Sequence, residues 1–188
     1  MSGGHGHVDP SNKKIALLIS VLAVVLAFAE TLGKGAQTAA LSYNIEAANL
    51  WSFFQAKTIR MTTLRTAGET LEVEAAQLAN PQAKEAFRKR IEDWKKTAAR
   101  YDTEPETGEG RKELSARAKK AEGNRDRTLA AYHHYEVASA ALQLAIVLAS
   151  AEIITGVAAL VWISGGLGII GIAFCLIGLF APAAVHLF

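Results

Sequence analysis

Charge is absent from two stretches of the chain and crowded between them. Residues 15–33 and 137–188 hold no charged or histidine side chain except Glu30, Glu152 and His186. The first run, IALLISVLAVVLAFAETLG (15–33), matches the roughly 20 apolar residues that a bilayer core requires. The second, 137–162, is longer. A short loop, ISGGLG (163–168), separates it from a third apolar run that reaches the C-terminus. The pattern predicts an all-α membrane protein with spans at 15–33, 137–162 and 167–187, preceded by a flexible tail over 1–14. Tyr132, Tyr135 and Trp162 flank the second span as interfacial anchors.

Between the first two spans the period changes. Positions 47, 50, 54, 57, 61, 64, 68, 71, 75 and 78 read Ala, Leu, Phe, Lys, Met, Leu, Gly, Leu, Ala, Leu. Apolar residues at alternating steps of three and four make a coiled-coil-like helical seam, with Lys57 and Gly68 as its defects. Asn80-Pro81 ends this helix and starts another, because proline suits a first turn and disfavours helix before it. Ala83, Phe87, Ile91, Trp94, Ala98 and Tyr101 form the apolar stripe of that second helix. DTEPETGEG (102–110) is an acidic loop, and from Arg111 the chain is again helical into the second span. Residues 34–136 are therefore expected to form an extramembrane helical hairpin. Gly33 and Gly35 are possible bends, and Leu114, Ala118, Ala121, Arg125, Thr128 and Tyr132 are the returning face.

Residues 34–136 hold 18 of the 20 Lys+Arg and 15 of the 18 Asp+Glu. Both signs interleave, so this charge selects no acidic partner, and no nucleic-acid-reading motif is present. The single cysteine, Cys175, excludes an intramolecular disulfide framework. Gly33-Lys34-Gly35 lacks the spacing of a phosphate loop, and neither a nucleophile elbow nor a zinc-protease helix motif occurs. His133 and His134 point about 100° apart on a helix, which makes joint coordination awkward. His5, His7 and Asp9 offer only a weak tail site. The expectation is no enzyme, no cofactor, no metal and no nucleic acid. An alternative for the first run is a cleaved signal, with Lys13 and Lys14 before it and Ala27-Phe28-Ala29 as the site. The periodicity continues through Glu30, which favours a retained helix.

Small residues stripe each span. They are Ala16, Ser20, Ala23 and Ala27 leading to Glu30 and Lys34; then Ala138, Ala141, Ala145, Ala149, Glu152, Gly156 and Ala159; then Ser164, Gly168, Gly171, Cys175 and Gly178. Close backbone approach favours helix association in lipid, so these stripes and their two glutamates are expected to face protein. An antiparallel register of the first two spans sets Ser20 opposite Glu152 and Gln143 opposite Glu30. Glu152 is the candidate intramembrane polar site, since a carboxylate at depth is costly and marks either helix glue or an ion path. Glu30 with Lys34 reads as an i,i+4 surface pair.

At Trp51-Ser52-Phe53-Phe54-Gln55-Ala56-Lys57-Thr58-Ile59-Arg60, with Ala36-Gln37-Thr38 upstream, the chain resembles a bacterial membrane family known as domain of unknown function 4337. Phe54 stands where many members carry tyrosine. The resemblance implies the three-span layout and a bacterial cytoplasmic membrane, and it implies no activity. Trp51, Phe54, Gln55, Lys57 and Arg60 are the candidate contact surface, toward another subunit or the returning helix. Lys13 and Lys14 argue for a cytoplasmic N-terminus with the middle section outside, while Lys119, Lys120, Arg125 and Arg127 near the second span argue the other way but count less in a long loop. Two functions compete: a non-enzymatic scaffold that meets lipid and a second copy or another membrane protein, and a small ion- or proton-handling element using Glu152.

Overall fold

The computed structural model describes residues 10–185; His5, His7, Asp9 and His186 lie outside them. Among the described residues the chain has four helices and no strand: α1 (Pro10–Gln77), α2 (Pro81–Asp102), α3 (Arg111–Thr155) and α4 (Ala159–Phe180). Helices α1, α3 and α4 each contain a stretch long and apolar enough to cross a membrane. The first apolar run is one part of a helix of 68 residues. Neither Gly33 nor Gly35 interrupts it.

Two compact units divide the chain, one from residues 1–41 with 125–188 and one from residues 42–124.

In the 42–124 unit every position of the expected seam from Ala47 to Leu78, the last just past the end of α1, is buried or half-buried, Lys57 and Gly68 included. Two partners share that seam. Ala47 and Leu50 pack with Leu114, Ala118 and Ala121 of α3, flanked by Trp51 and Phe54. Farther along, α2 folds back on α1, with Lys95 Nζ 2.6 Å from Glu72 Oε1 and with Ile91 and Ala98 buried. Asn80 caps α2, its Oδ1 accepting from the amides of Gln82 and Ala83, while Pro81 occupies the first turn. A side-chain oxygen there satisfies amides that lack an intrahelical partner.

In the other unit, Leu22 and Ala29 of α1 pack with Ala138, Leu142 and Ala145 of α3. The packed face of α1 therefore runs through Ile15, Leu22, Ala29 and Gly33, all buried. This corrects the expected stripe: Ala16, Ser20, Ala23, Ala27, Glu30 and Lys34 are exposed. Leucine and alanine side chains of α1 fit against glycines and alanines on α3 and α4, so the small residues are needed on the partners only. There Ala138, Ala141, Ala145 and Ala149 are buried, as are Ser164, Gly168, Gly171 and Gly178, whereas Gly156 and Ala159 at the end of the second stripe are exposed because α3 stops at Thr155.

The join between α3 and α4 also differs from the expected loop at 163–168. Helix α3 ends at Thr155, and Gly156 adopts φ 69° with its amide donating to Glu152 O at 2.7 Å. A left-handed glycine is an efficient helix stop because it has no Cβ to clash. Residues 163–168 are helical, and Trp162 belongs to α4. Glycine need not break a helix in an apolar stretch suited to lipid, where the backbone finds no competing partner. Helix α4 stops at Phe180, seven residues before the expected end, with Pro182 just beyond it.

Candidate interaction surface and intramembrane polar residues

The aromatic and basic motif of α1 turns inward. Trp51 Nε1 donates to Glu122 Oε1 at 2.8 Å, and the Trp51 and Phe54 rings meet edge-on at 5.4 Å. Lys57 is only 6% exposed. Its ammonium lies 3.6 Å from Glu104 Oε2 and 3.8 Å from Glu109 Oε2, and 5.3 Å from the ring centres of Phe53 and Tyr101. Gln55 and Arg60 are exposed. The structure thus brings Trp51, Phe54 and Lys57 onto the chain's own α3 and α2–α3 loop, and leaves Gln55 and Arg60 outside that contact.

Arg111, at the start of α3, completes the arrangement. Its Nε donates to Thr58 Oγ1 at 2.8 Å, its Nη1 to Asp102 Oδ1 at 3.1 Å, and its guanidinium lies 4.9 Å from the Phe54 ring centre. Planar guanidinium suits this combination of ring stacking and two directed hydrogen bonds. Sequence reasoning missed Arg111 and the carboxylates of Glu104, Glu109 and Glu122. A signal was present for two of them: a lysine on an apolar seam needs an anion, and residues 102–110 are the nearby acid-rich segment.

The loop that supplies these acids is tightly built. Gly108 has φ 68°. Any Cβ at Gly110 would overlap the Glu113 carboxylate and the Glu104 amide, which already bond to each other at 3.2 Å. Glu104 also accepts from Arg100 Nη2 at 2.7 Å. That hydrogen bond, together with the charges of Arg100 and Lys57, holds the Glu104 carboxyl below its ordinary value against the opposing effect of desolvation. A depressed carboxyl stabilises the fold above its unfolded pKa and loses that contribution as pH falls through its folded one. Melting of this unit is therefore expected to move to lower temperature on acidification from about pH 5 to about pH 3. Circular dichroism of Glu104→Gln in detergent should show a flatter profile over the same range.

In the 1–41 with 125–188 unit, Gln143 Nε2 donates to Glu30 Oε1 at 3.2 Å. Among the described residues no ion pair joins Glu30 to Lys34. Ser20 Oγ donates to Ala16 O within its own helix at 2.9 Å, and does not meet Glu152. The expected Ser20–Glu152 pair fails because Ser20 lies on the exposed side of α1. Glu152 is half-buried, and its Oε2 is a buried atom with no hydrogen-bond partner among the described residues.

The two histidines diverge as the helix geometry requires. His133 Nδ1 lies 3.3 Å from Glu136 Oε2 at the surface. His134 is fully buried, its Nε2 3.1 Å from Pro182 O and its ring stacked on Phe174 at 6.0 Å. Tyr135 is 4% exposed, packed where Gly33 and Gly178 allow close approach, so it is a core residue and not an interfacial anchor. Ser164 Oγ donates to Ala145 O at 2.7 Å, tying α4 to α3.

These features define an all-helical protein with three helices able to cross a membrane and a polar-latched helical unit formed by residues 42–124. The family model described as "Domain of unknown function (DUF4337)" matches residues 11–181, nearly the whole chain, and the protein belongs to that family. No curated protein and no solved structure matches it.

Proposed function

We propose that this protein is a non-enzymatic membrane scaffold or subunit, which uses the helical unit of residues 42–124 for self-assembly or for binding another membrane protein. The observation that carries this reading is the fate of the motif. Trp51 and Lys57 are spent on internal contacts with Glu122, Glu104 and Glu109, and Phe54 on Trp51 and Arg111, so the motif builds a helical unit instead of presenting reactive groups. The proposed setting is the bacterial cytoplasmic membrane with the N-terminus inside, from Lys13 and Lys14 ahead of the first apolar run. The proposed partners are lipid and protein, without a cofactor or nucleic acid. Copurification from native membranes under mild detergent tests this: a stoichiometric complex is expected, and a chain that is solitary and monomeric would count against it.

A second reading rests on Glu152. A carboxylate oxygen buried without a partner among helices suited to lipid is costly, and such groups mark ion paths as well as helix contacts. Glu152→Gln separates the two. In the scaffold reading the variant assembles normally and pH-driven flux into liposomes is absent from both proteins. In the ion-handling reading the native protein supports flux and the variant abolishes it.

A further inference from the structure

The α1 helix has a second face in the 42–124 unit. Numbered in sevens, the packed seam occupies two columns, and the column opposite holds Ile45, Ser52, Ile59, Thr66 and Val73, all exposed. Ile59 is 67% exposed and Val73 62%. The neighbouring columns are 48, 55, 62, 69, 76 and 49, 56, 63, 70, 77. Of these fifteen outward positions only Glu69 is charged, whereas Glu46, Arg60, Arg65, Glu72 and Glu74 all lie on the flanks next to the packed seam. A helix that meets water on its outer side normally carries its charges farthest from the core. Here the order is reversed.

Three hydroxyls of this face are turned back onto the helix. Ser52, Thr63 and Thr70 donate their hydroxyls to the carbonyls four residues back, at 2.9, 2.9 and 3.0 Å. Thr58, Ile59, Thr62, Thr63, Thr66 and Thr70 line a shallow groove along the helix. We propose that this face is where a second copy of the chain docks, α1 against α1, parallel and in register.

The occupant follows from charge and geometry. Copies inserted in one membrane with the same orientation run their α1 helices in the same direction. In-register pairing then sets each residue against itself, which repels wherever the face is charged, and this face is free of charge from Ile45 to Thr66. Residues 45–77 span about 50 Å at 1.5 Å per residue. A strip about 10 Å wide gives on the order of 1,000 Å² for the pair, near the lower limit for a specific interface. Confinement to one bilayer raises the effective concentration enough for an interface of that size. The inference rests on the assembly reading above and names its partner and surface.

Single cysteines test it in full-length protein, in a Cys175→Ser background and in native membranes under mild oxidation. Ser52→Cys, Ile59→Cys and Thr66→Cys are expected to give at least about fivefold more disulfide-linked dimer than Glu46→Cys or Arg60→Cys, because a bridge needs Cα atoms within about 7 Å. Ile59→Lys with Thr66→Lys, both at exposed sites, should abolish the dimer on native gels and keep the helical circular dichroism. Equal linking at flank and centre, linking of the centre to a different protein, or a dimer that survives the double lysine variant would overturn the proposal. If no self-linking occurs while another protein still copurifies, this face fails and the assembly reading stands. A chain that neither links nor copurifies would sink both.

Discussion

Replacing Lys57 by alanine is expected to destabilise the 42–124 unit by about 2–3 kcal/mol. Removing one member of a buried ion pair costs about 3–5 kcal/mol, because the remaining charge is left desolvated. The figure is reduced here because the Glu109 side chain is 51% exposed and can turn to water, and because Glu104, at 14%, keeps its hydrogen bond from Arg100. Lys57→Met keeps the length and the apolar stem and removes only the charge, so it separates electrostatics from packing. Adding Glu104→Gln to Lys57→Met should recover part of the loss, and the size of that recovery measures the coupling. Thermal melts in detergent check the order, with Lys57→Ala least stable and the double variant above Lys57→Met. Trypsin should cut at Arg100 or Arg111 earlier in the variants, since the loop between them loses its anchor. A melt unchanged by Lys57→Met would show that the ammonium is not holding the acidic loop.

The second large effect lies between α3 and α4. A Cβ at Gly171 would come 2.7 Å from Leu142 Cγ and 3.2 Å from the carbonyl oxygen of Ala138. Leu142 is fully buried, and a helix carbonyl cannot move aside, so the two helices must separate. Gly171→Ala is expected to cost about 1–3 kcal/mol, the range for overpacking a tight contact, and Gly171→Leu more. Gly165→Ala and Gly166→Ala are the controls, with open space at both positions and no loss expected. Resistance of the full chain to unfolding as SDS is added to mild detergent reads the difference. Equal behaviour of Gly171→Ala and Gly166→Ala would contradict the packing described.

The contrast between these glycines shows what a pattern does and does not carry. The stripe of Ser164, Gly168, Gly171 and Gly178 was legible, because small residues at helical spacing in an apolar run have few uses other than close approach. The stripe from Ala16 to Lys34 has the same spacing and is exposed. Periodicity finds a face and does not say which face has a neighbour. The same limit governs the hairpin. The seam from Ala47 to Leu78 was readable residue by residue, yet nothing in its spacing announced that α3 covers the first part and α2 the rest. The helix stop at Gly156 was missed in favour of Gly165-Gly166, since a glycine pair is the stronger turn signal in water and a weak one where backbone groups have no alternative partner.

Segregation of charge along the chain established the helical class, the apolar stretches suited to lipid and the charged section between them, because solvent preference is a property of each side chain and survives any arrangement. The α1 seam and the Asn80-Pro81 break were fixed at the same level, by periodicity and by the backbone limits of proline. The antiparallel register had already set Gln143 opposite Glu30, where the two now bond, but tertiary structure alone decided that Lys57 is neutralised by Glu104 and Glu109, that Arg111 lies over Phe54, and that among the described residues an oxygen of Glu152 is unpaired. Those are contacts between residues distant along the chain. They depend on the rotation of each helix about its axis, and a rotation of a fraction of a turn, which no one-dimensional pattern specifies, exchanges one set of partners for another.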